Sequence, residues 1–330
     1  MLCRISGFLA LSLAAAAALY AQQSKFHVAK TPWGDPDLQG VWTSDDLHDV
    51  PLERPAEFGT RRFLTEQEMA ERAKTVKDLR TTIQTGERPK EGFWAKQKGV
   101  DAAAVPAQWV EFARRASDLT SLVADPPNGH IPPLTEEGKQ RRAGAPAYFN
   151  QHPASWLDLS TYDRCITRGV TGSFFPSIYG NGSQIIQMPG MVAIRYEMIH
   201  ETRLIPLDGR PHASAKMRSY MGDPRGHWDG DTLVVETTNF IGGKVAVGGV
   251  PYSEDLKLVE RFTRRDENII DYEVTISDPK TFTAAWKVAF PITHEPDYRI
   301  FEYACHEGNY AMRNRLSAAR ADEAKEAQRP

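Results

Sequence analysis

Residues 256–276, LKLVERFTRRDENIIDYEVTI, decide the fold class. Two runs rich in β-branched and aromatic residues, Leu256 to Arg264 and Asn268 to Ile276, flank the polar turn Arg265 to Glu267, the pattern of a β-hairpin. The device recurs on the N-terminal side. Gln184 to Met188 and Met191 to Arg203 are joined by Pro189-Gly190, a tight-turn pair. Trp228 and the run Asp231 to Phe240 meet at Asp229-Gly230, a hairpin dipeptide because both residues tolerate positive φ. Phe282 to Phe290 and Tyr298 to His306 extend the series to about eight short strands. No intervening helix is long enough to cross between parallel neighbours, so the spacing predicts a mainly β protein, an antiparallel β-barrel or strongly curved sheet of lipocalin-like form.

The chain before Tyr162 reads differently. Lys30 to Pro55 carries four prolines, two glycines and the tryptophans Trp33 and Trp42, too broken for a helix, and is expected to wrap the domain surface. Thr65-Glu66-Gln67-Glu68 is a capping box opening a helix to about Thr82. A second helix is expected from Ala107 to Ser117 and a short polar one from Thr135 to Arg142. The organisation is therefore 1–21 signal peptide, 22–161 a helix and loop region packed on the barrel, 162–318 the antiparallel β domain, and 319–330 a charged, alanine-rich, frayed tail.

Composition narrows the function classes. In 330 residues, 40 Lys+Arg stand against 43 Asp+Glu, and no basic run is interleaved with aromatics, so the electrostatic footprint of a nucleic-acid binder is missing. Arg4, the apolar run Phe8 to Tyr20 and Leu19-Tyr20-Ala21 read as a secretory signal, the apolar stretch being shorter than the roughly 20 residues of a membrane span. The expected setting is periplasmic or secreted. Of three cysteines, Cys3 falls in the signal, which leaves Cys165 and Cys305; in an exported chain an even pair suggests a disulfide, with two buried thiols as the alternative.

The three His-Glu dipeptides, at 200–201, 294–295 and 306–307, have Leu204, Tyr298 and Tyr310 at the i+4 positions, which excludes a helical HExxH zinc site. GxSxG, P-loop, GxGxxG and CxxC motifs are absent. Polar groups instead gather around the strands. Along Val192 to His200 the even positions share one face, placing His200 either at a barrel mouth, where it can act as acid, base or metal ligand, or at the end of an apolar face where it only satisfies backbone groups. The catalytic candidates are His200 and His306 with Glu307 or Asp223 as carboxylate partner, because imidazole titrates near neutral pH and a carboxylate fixes its tautomer. Arg203 or Arg225 would hold an anionic or hydroxyl-bearing substrate, while Tyr179, Asn181 and Trp228 would supply hydrogen bonds and stacking.

The segments TPWGDPDLQGVW, MGDPRGHWDGDTLVVETTNF and EYACHEGNYAMRN resemble signature blocks of a family of exported, mostly uncharacterised bacterial proteins, a resemblance that covers nearly the whole mature chain and implies no stated activity. GHWDGDTLVVETT and LVERFTRRDENIIDYEVTI are also similar to strand pairs of lipocalin-type barrels. The resulting expectation is an exported enzyme performing acid–base chemistry, hydrolysis or elimination, on a small or glycosidic molecule in a barrel pocket. The alternatives are a non-catalytic binder of an apolar or aromatic ligand and, third, a metal-dependent oxidoreductase. No cofactor is expected, with a metal held between His200 and His306 left open. The expected partner is a small-molecule ligand or substrate, and the sequence does not state an oligomeric state.

Overall fold

The computed structural model describes residues 26–84, 111, 113–145, 153–177 and 179–328. The expected signal peptide and residues 107–110 and 112 of the expected second helix lie outside them. In chain order the elements are β1 (Gly40–Thr43), α1 (Glu66–Gln84), β2 (Val123–Asp125), α2 (Glu136–Ala143), α3 (Gly169–Phe174), β3 (Ser183–Met188), β4 (Met191–Tyr196), β5 (Thr202–Pro206), β6 (Asp223–Asp229), β7 (Thr232–Thr238), β8 (Ala246–Val247), β9 (Val250–Pro251), β10 (Lys257–Asp266), β11 (Ile269–Ser277), β12 (Trp286–His294) and α4 (Ala311–Glu326).

Antiparallel pairing runs β5-β4-β3-β1-β12-β11-β10-β7-β6, with β2 added to β12, and β8 and β9 form a separate short ribbon. The sheet curls until β5 and β6 nearly meet. There Gly226 of β6 lies so close to the other edge that a Cβ would stand 2.6 Å from Leu207 and 2.8 Å from Ile205. The protein is thus mainly β, an almost closed antiparallel barrel, as the hairpin pattern predicts. Strict alternation in β11, where Ile270, Tyr272, Val274 and Ile276 are buried, follows from the period-two geometry of a strand with one face inward.

The interior is filled by side chains. Phe174, carried in by α3, packs its ring 4.4 Å from Tyr272, 5.6 Å from Phe262 and 6.1 Å from Tyr196 between centroids. Beside them the buried Arg203 guanidinium forms a two-pronged ion pair with Glu260 and also donates to Thr237 Oγ1 at 2.5 Å, while Tyr272 donates to Glu260 at 3.2 Å. A buried pair of this kind keeps its charges only because each has several partners.

Four expectations change. The segment 30–55 does not merely wrap the surface: β1 is inserted between β3 and β12, and Trp42 is fully buried, its indole N–H donating to Leu38 O at 2.9 Å. Residues 113–117 are not helical, because Arg72 takes the carbonyls of Ser117 and Leu119 and the Asp46 carboxylate takes the N–H groups of Arg114 and Arg115. No strand spans Tyr298 to His306; that stretch is held by its side chains and by the Cys165–Cys305 disulfide, Cα atoms 5.6 Å apart. The tail is not frayed through 319–326, since α4 continues to Glu326, with Ala319 buried and Arg320 donating to Pro153 O and Ala154 O. Among the described residues no helix is long and apolar enough to cross a membrane.

Candidate functional site

Because β3 is antiparallel to both β1 and β4, the turn leaving β1, the residues entering β3 and the residues leaving β4 meet at one end of the sheet. Asp45 and His48 come from the first, Asn181 from the second and Glu197 from the third, and all four are buried. Glu111 and Tyr298, on flanking loops, close the group and are partly buried. Gly182 makes the approach feasible, since a Cβ there would lie 2.7 Å from both Glu197 Oε2 and a Tyr298 ring carbon.

The group holds more acceptors than donors. Asn181 Nδ2 lies 2.8 Å from Asp45 Oδ1, 3.2 Å from Glu111 Oε2 and 2.7 Å from Ser177 O, three acceptor oxygens for two hydrogens, and 3.1 Å from the ring nitrogen His48 Nε2. The Asn181 backbone N–H donates to Glu111 Oε2 at 3.1 Å. Tyr298 Oη lies 2.8 Å from Glu111 Oε1 and 2.6 Å from Glu197 Oε2. A phenol has one hydrogen and can donate to one of these oxygens; the other contact is a hydrogen bond only if that carboxyl is itself protonated. The electrostatics agree. Burial, and after it the Asp45 carboxylate, push Glu111 up to about 8. Burial also raises Glu197, against the opposing hydrogen bond from Tyr298. Burial and the neighbouring carboxyls hold the Tyr298 phenol well above its usual range, so it keeps its hydrogen. Two carboxyls and a phenol therefore share an extra proton at neutral pH.

The residues singled out from sequence fall into several separate groups. His200 is not on a strand: β4 ends at Tyr196, and a tight turn at Met198–His200, with Ile199 and His200 at positive φ, reverses the chain into β5. The turn is closed by Tyr196 N–H to Glu201 O and His200 N–H to Glu197 O, each 2.9 Å. Exposed His200 has Nδ1 2.9 Å from Tyr303 O. His306 and Glu307 are exposed on the turn after Cys305, with no side-chain hydrogen bond among the described residues. Tyr179 stacks on Tyr303 at 6.1 Å, and its hydroxyl lies 2.9 Å from that of Tyr162. Asn181 is central to the carboxyl group, whereas Arg203 is committed inside the barrel to Glu260.

Asp223 and Arg225 form a third group at the start of β6. Arg225 donates to Asp223 Oδ1 at 2.5 Å, and His212 bridges Asp223 Oδ2 at 3.0 Å to Glu236 Oε1 at 3.4 Å. Although burial opposes it, hydrogen bonds from Ala213 N–H, His212 and Arg225 hold Asp223 below its usual range, so it stays ionised. Trp228 packs against the core, its indole N–H without a hydrogen-bond partner among the described residues. Sequence reasoning missed Asp45, His48, Glu111, Glu197 and Tyr298, which share no spacing motif. The one local signal was the density of acidic residues and histidine in TSDDLHD, residues 43–49.

Among the described residues no cluster of three or more His, Cys, Asp and Glu side chains is arranged to hold a metal ion. No known protein family, curated protein or solved structure matches the chain. Fold and site together define its class: an almost closed antiparallel β-barrel, stapled by one disulfide, with a proton-holding carboxyl group at one end of the sheet.

Proposed function

We propose that the protein is an exported acid–base enzyme, acting by hydrolysis or elimination on a small molecule, with Glu111 as the proton donor and acceptor. The observation that carries this reading is the Glu111–Tyr298–Glu197 contact, in which one phenol oxygen lies within hydrogen-bond distance of two carboxyl oxygens but has a single hydrogen to give, so the second hydrogen bond requires a protonated carboxyl. A carboxylic acid whose pKa is raised close to the working pH is one of the established means of general acid catalysis. Glu111 is only partly buried, whereas Glu197, Asp45 and Asn181 beside it are buried, so proton transfer to a bound molecule is assigned to the Glu111 carboxyl, with the other three tuning and orienting it. The histidines fit the role less well, since His200 is turned to a backbone carbonyl and His306 faces solvent. A binder with an apolar lumen is disfavoured by the aromatic side chains and ion pair that fill the described interior. The Cys165–Cys305 bridge suits an oxidising compartment, which supports export.

The test has two parts. Infrared spectra at pH 7 should contain a protonated-carboxyl band that disappears in Glu111→Gln. A panel of aryl glycosides, aryl esters and uronides should include one compound whose turnover falls roughly 100-fold to 10,000-fold in that variant. Absence of the band in the parent protein refutes the reading.

A further inference from the structure

A cleft of about 600 Å³ opens beside α2 and α3. Three cationic side chains line it: Arg142 at the end of α2, Arg168 before α3 and Lys244 before β8. Among the described residues no carboxylate lines it, in a chain whose acidic residues outnumber its basic ones. Elsewhere many surface cations are neutralised by neighbours, as in Lys257–Glu236, Arg261–Asp229 and Lys287–Glu273. Arg142 and Lys244 have no ion pair among the described residues, and Arg168 meets no carboxylate: it donates to Ser177 Oγ at 3.1 Å and lies 5.3 Å from the centre of the Tyr162 ring. Gly172 leaves Arg168 its place, because a Cβ there would stand 3.3 Å from the Arg168 Cβ. Like charges facing one concave surface repel one another, and a bound anion relieves all three at once. The volume is that of a small-molecule site and exceeds the needs of a bare ion.

We infer that this cleft binds a small organic molecule through an oxyanion group, a carboxylate, sulfate or phosphate. The guanidinium of Arg168 offers a planar pair of donors, Arg142 and Lys244 supply charge from the rim, and the Tyr162 ring and the methyl groups of Val245 receive the organic body. Ser177 connects the cleft to the carboxyl group described above, its hydroxyl accepting from Arg168 and its N–H donating to Asn181 Oδ1 at 2.8 Å. The inference concerns binding and rests on the cleft, independent of whether Glu111 carries out chemistry.

The test is calorimetric titration of the full mature protein with phenyl phosphate, phenyl sulfate and benzoate, and with benzyl alcohol as the uncharged counterpart. At least one anion should bind, more weakly as salt is raised, and benzyl alcohol should not. Arg142→Gln and Lys244→Gln, both at exposed positions, should each weaken binding about tenfold with the unfolding midpoint unchanged. Failure of all three anions to bind at millimolar concentration, equal affinity for benzyl alcohol, or undiminished binding in the double variant overturns the inference. None of these outcomes touches the infrared band of Glu111, so the two readings fail separately.

Discussion

Glutamine at position 111 should act as a permanent copy of the protonated acid. In the protonated state one Glu111 oxygen accepts from the Asn181 N–H and the other donates to Tyr298, whose own hydrogen goes to Glu197. A glutamine carbonyl and amide can repeat both contacts. Folding raises the carboxyl from its usual 4.5 to about 8, so between these values the native state holds a proton that the unfolded chain has released. Stability is therefore fully present below about pH 4.5 and falls as pH rises through about 8. At about 1.4 kcal/mol per pH unit the loss reaches about 3 kcal/mol at pH 7 and about 5 kcal/mol once titration is complete. Urea unfolding at a series of pH values from 5 to 9 (about one unit apart) measures this directly. The parent protein should lose stability across the range, Glu111→Gln should lose much less, and the two should converge near the acid end. Parallel curves, or a variant less stable than the parent at pH 8.5 (about the end of the titration), would show that no proton is stored at this carboxyl.

Three further outcomes follow from the same packing. Thiol titration of denatured, unreduced protein should find Cys165 and Cys305 both blocked, and their joint replacement by alanine should cost up to roughly 5 kcal/mol, because the bridge closes a loop with a sequence separation of 140 residues. Arg203→Met should destabilise by about 3 to 5 kcal/mol by leaving Glu260 charged in the barrel interior, and adding Glu260→Leu should recover much of that loss; a cost below about 1 kcal/mol for the single change in urea unfolding contradicts the buried pair. Gly182→Ala should force Tyr298 away from Glu197, costing about 1 to 3 kcal/mol and flattening the pH dependence of stability, which the same unfolding series reads.

The sequence by itself determined what depends on neighbours in the chain. The hairpins at 183–196 and 257–277, and the turn at Asp229-Gly230, are legible because alternation and turn chemistry are local, and their antiparallel pairing follows from short connections; the strand Asp223–Asp229, broken by Pro224 and Gly226, is not. The capping box at Thr65 is local in the same sense, and Glu68 does reach back to the Thr65 N–H at 2.7 Å. The cysteine pair was legible by count. What lay beyond reach depended on where the sheet closes. Gly40 to Thr43 is too short to signal a strand, and becomes one only because β3 and β12 leave unpaired edges for it. Tyr298 to His306 has the composition of a strand but pairs with none, and is held by Tyr298, Tyr303 and Cys305 instead. The carboxyl group joins residues 45, 48, 111, 181, 197 and 298, and the cationic cleft joins 142, 168 and 244, so neither has a spacing to read. Only the tertiary structure decided them, because a raised pKa arises from burial and nearby charge, and both are properties of chain segments brought together from far apart.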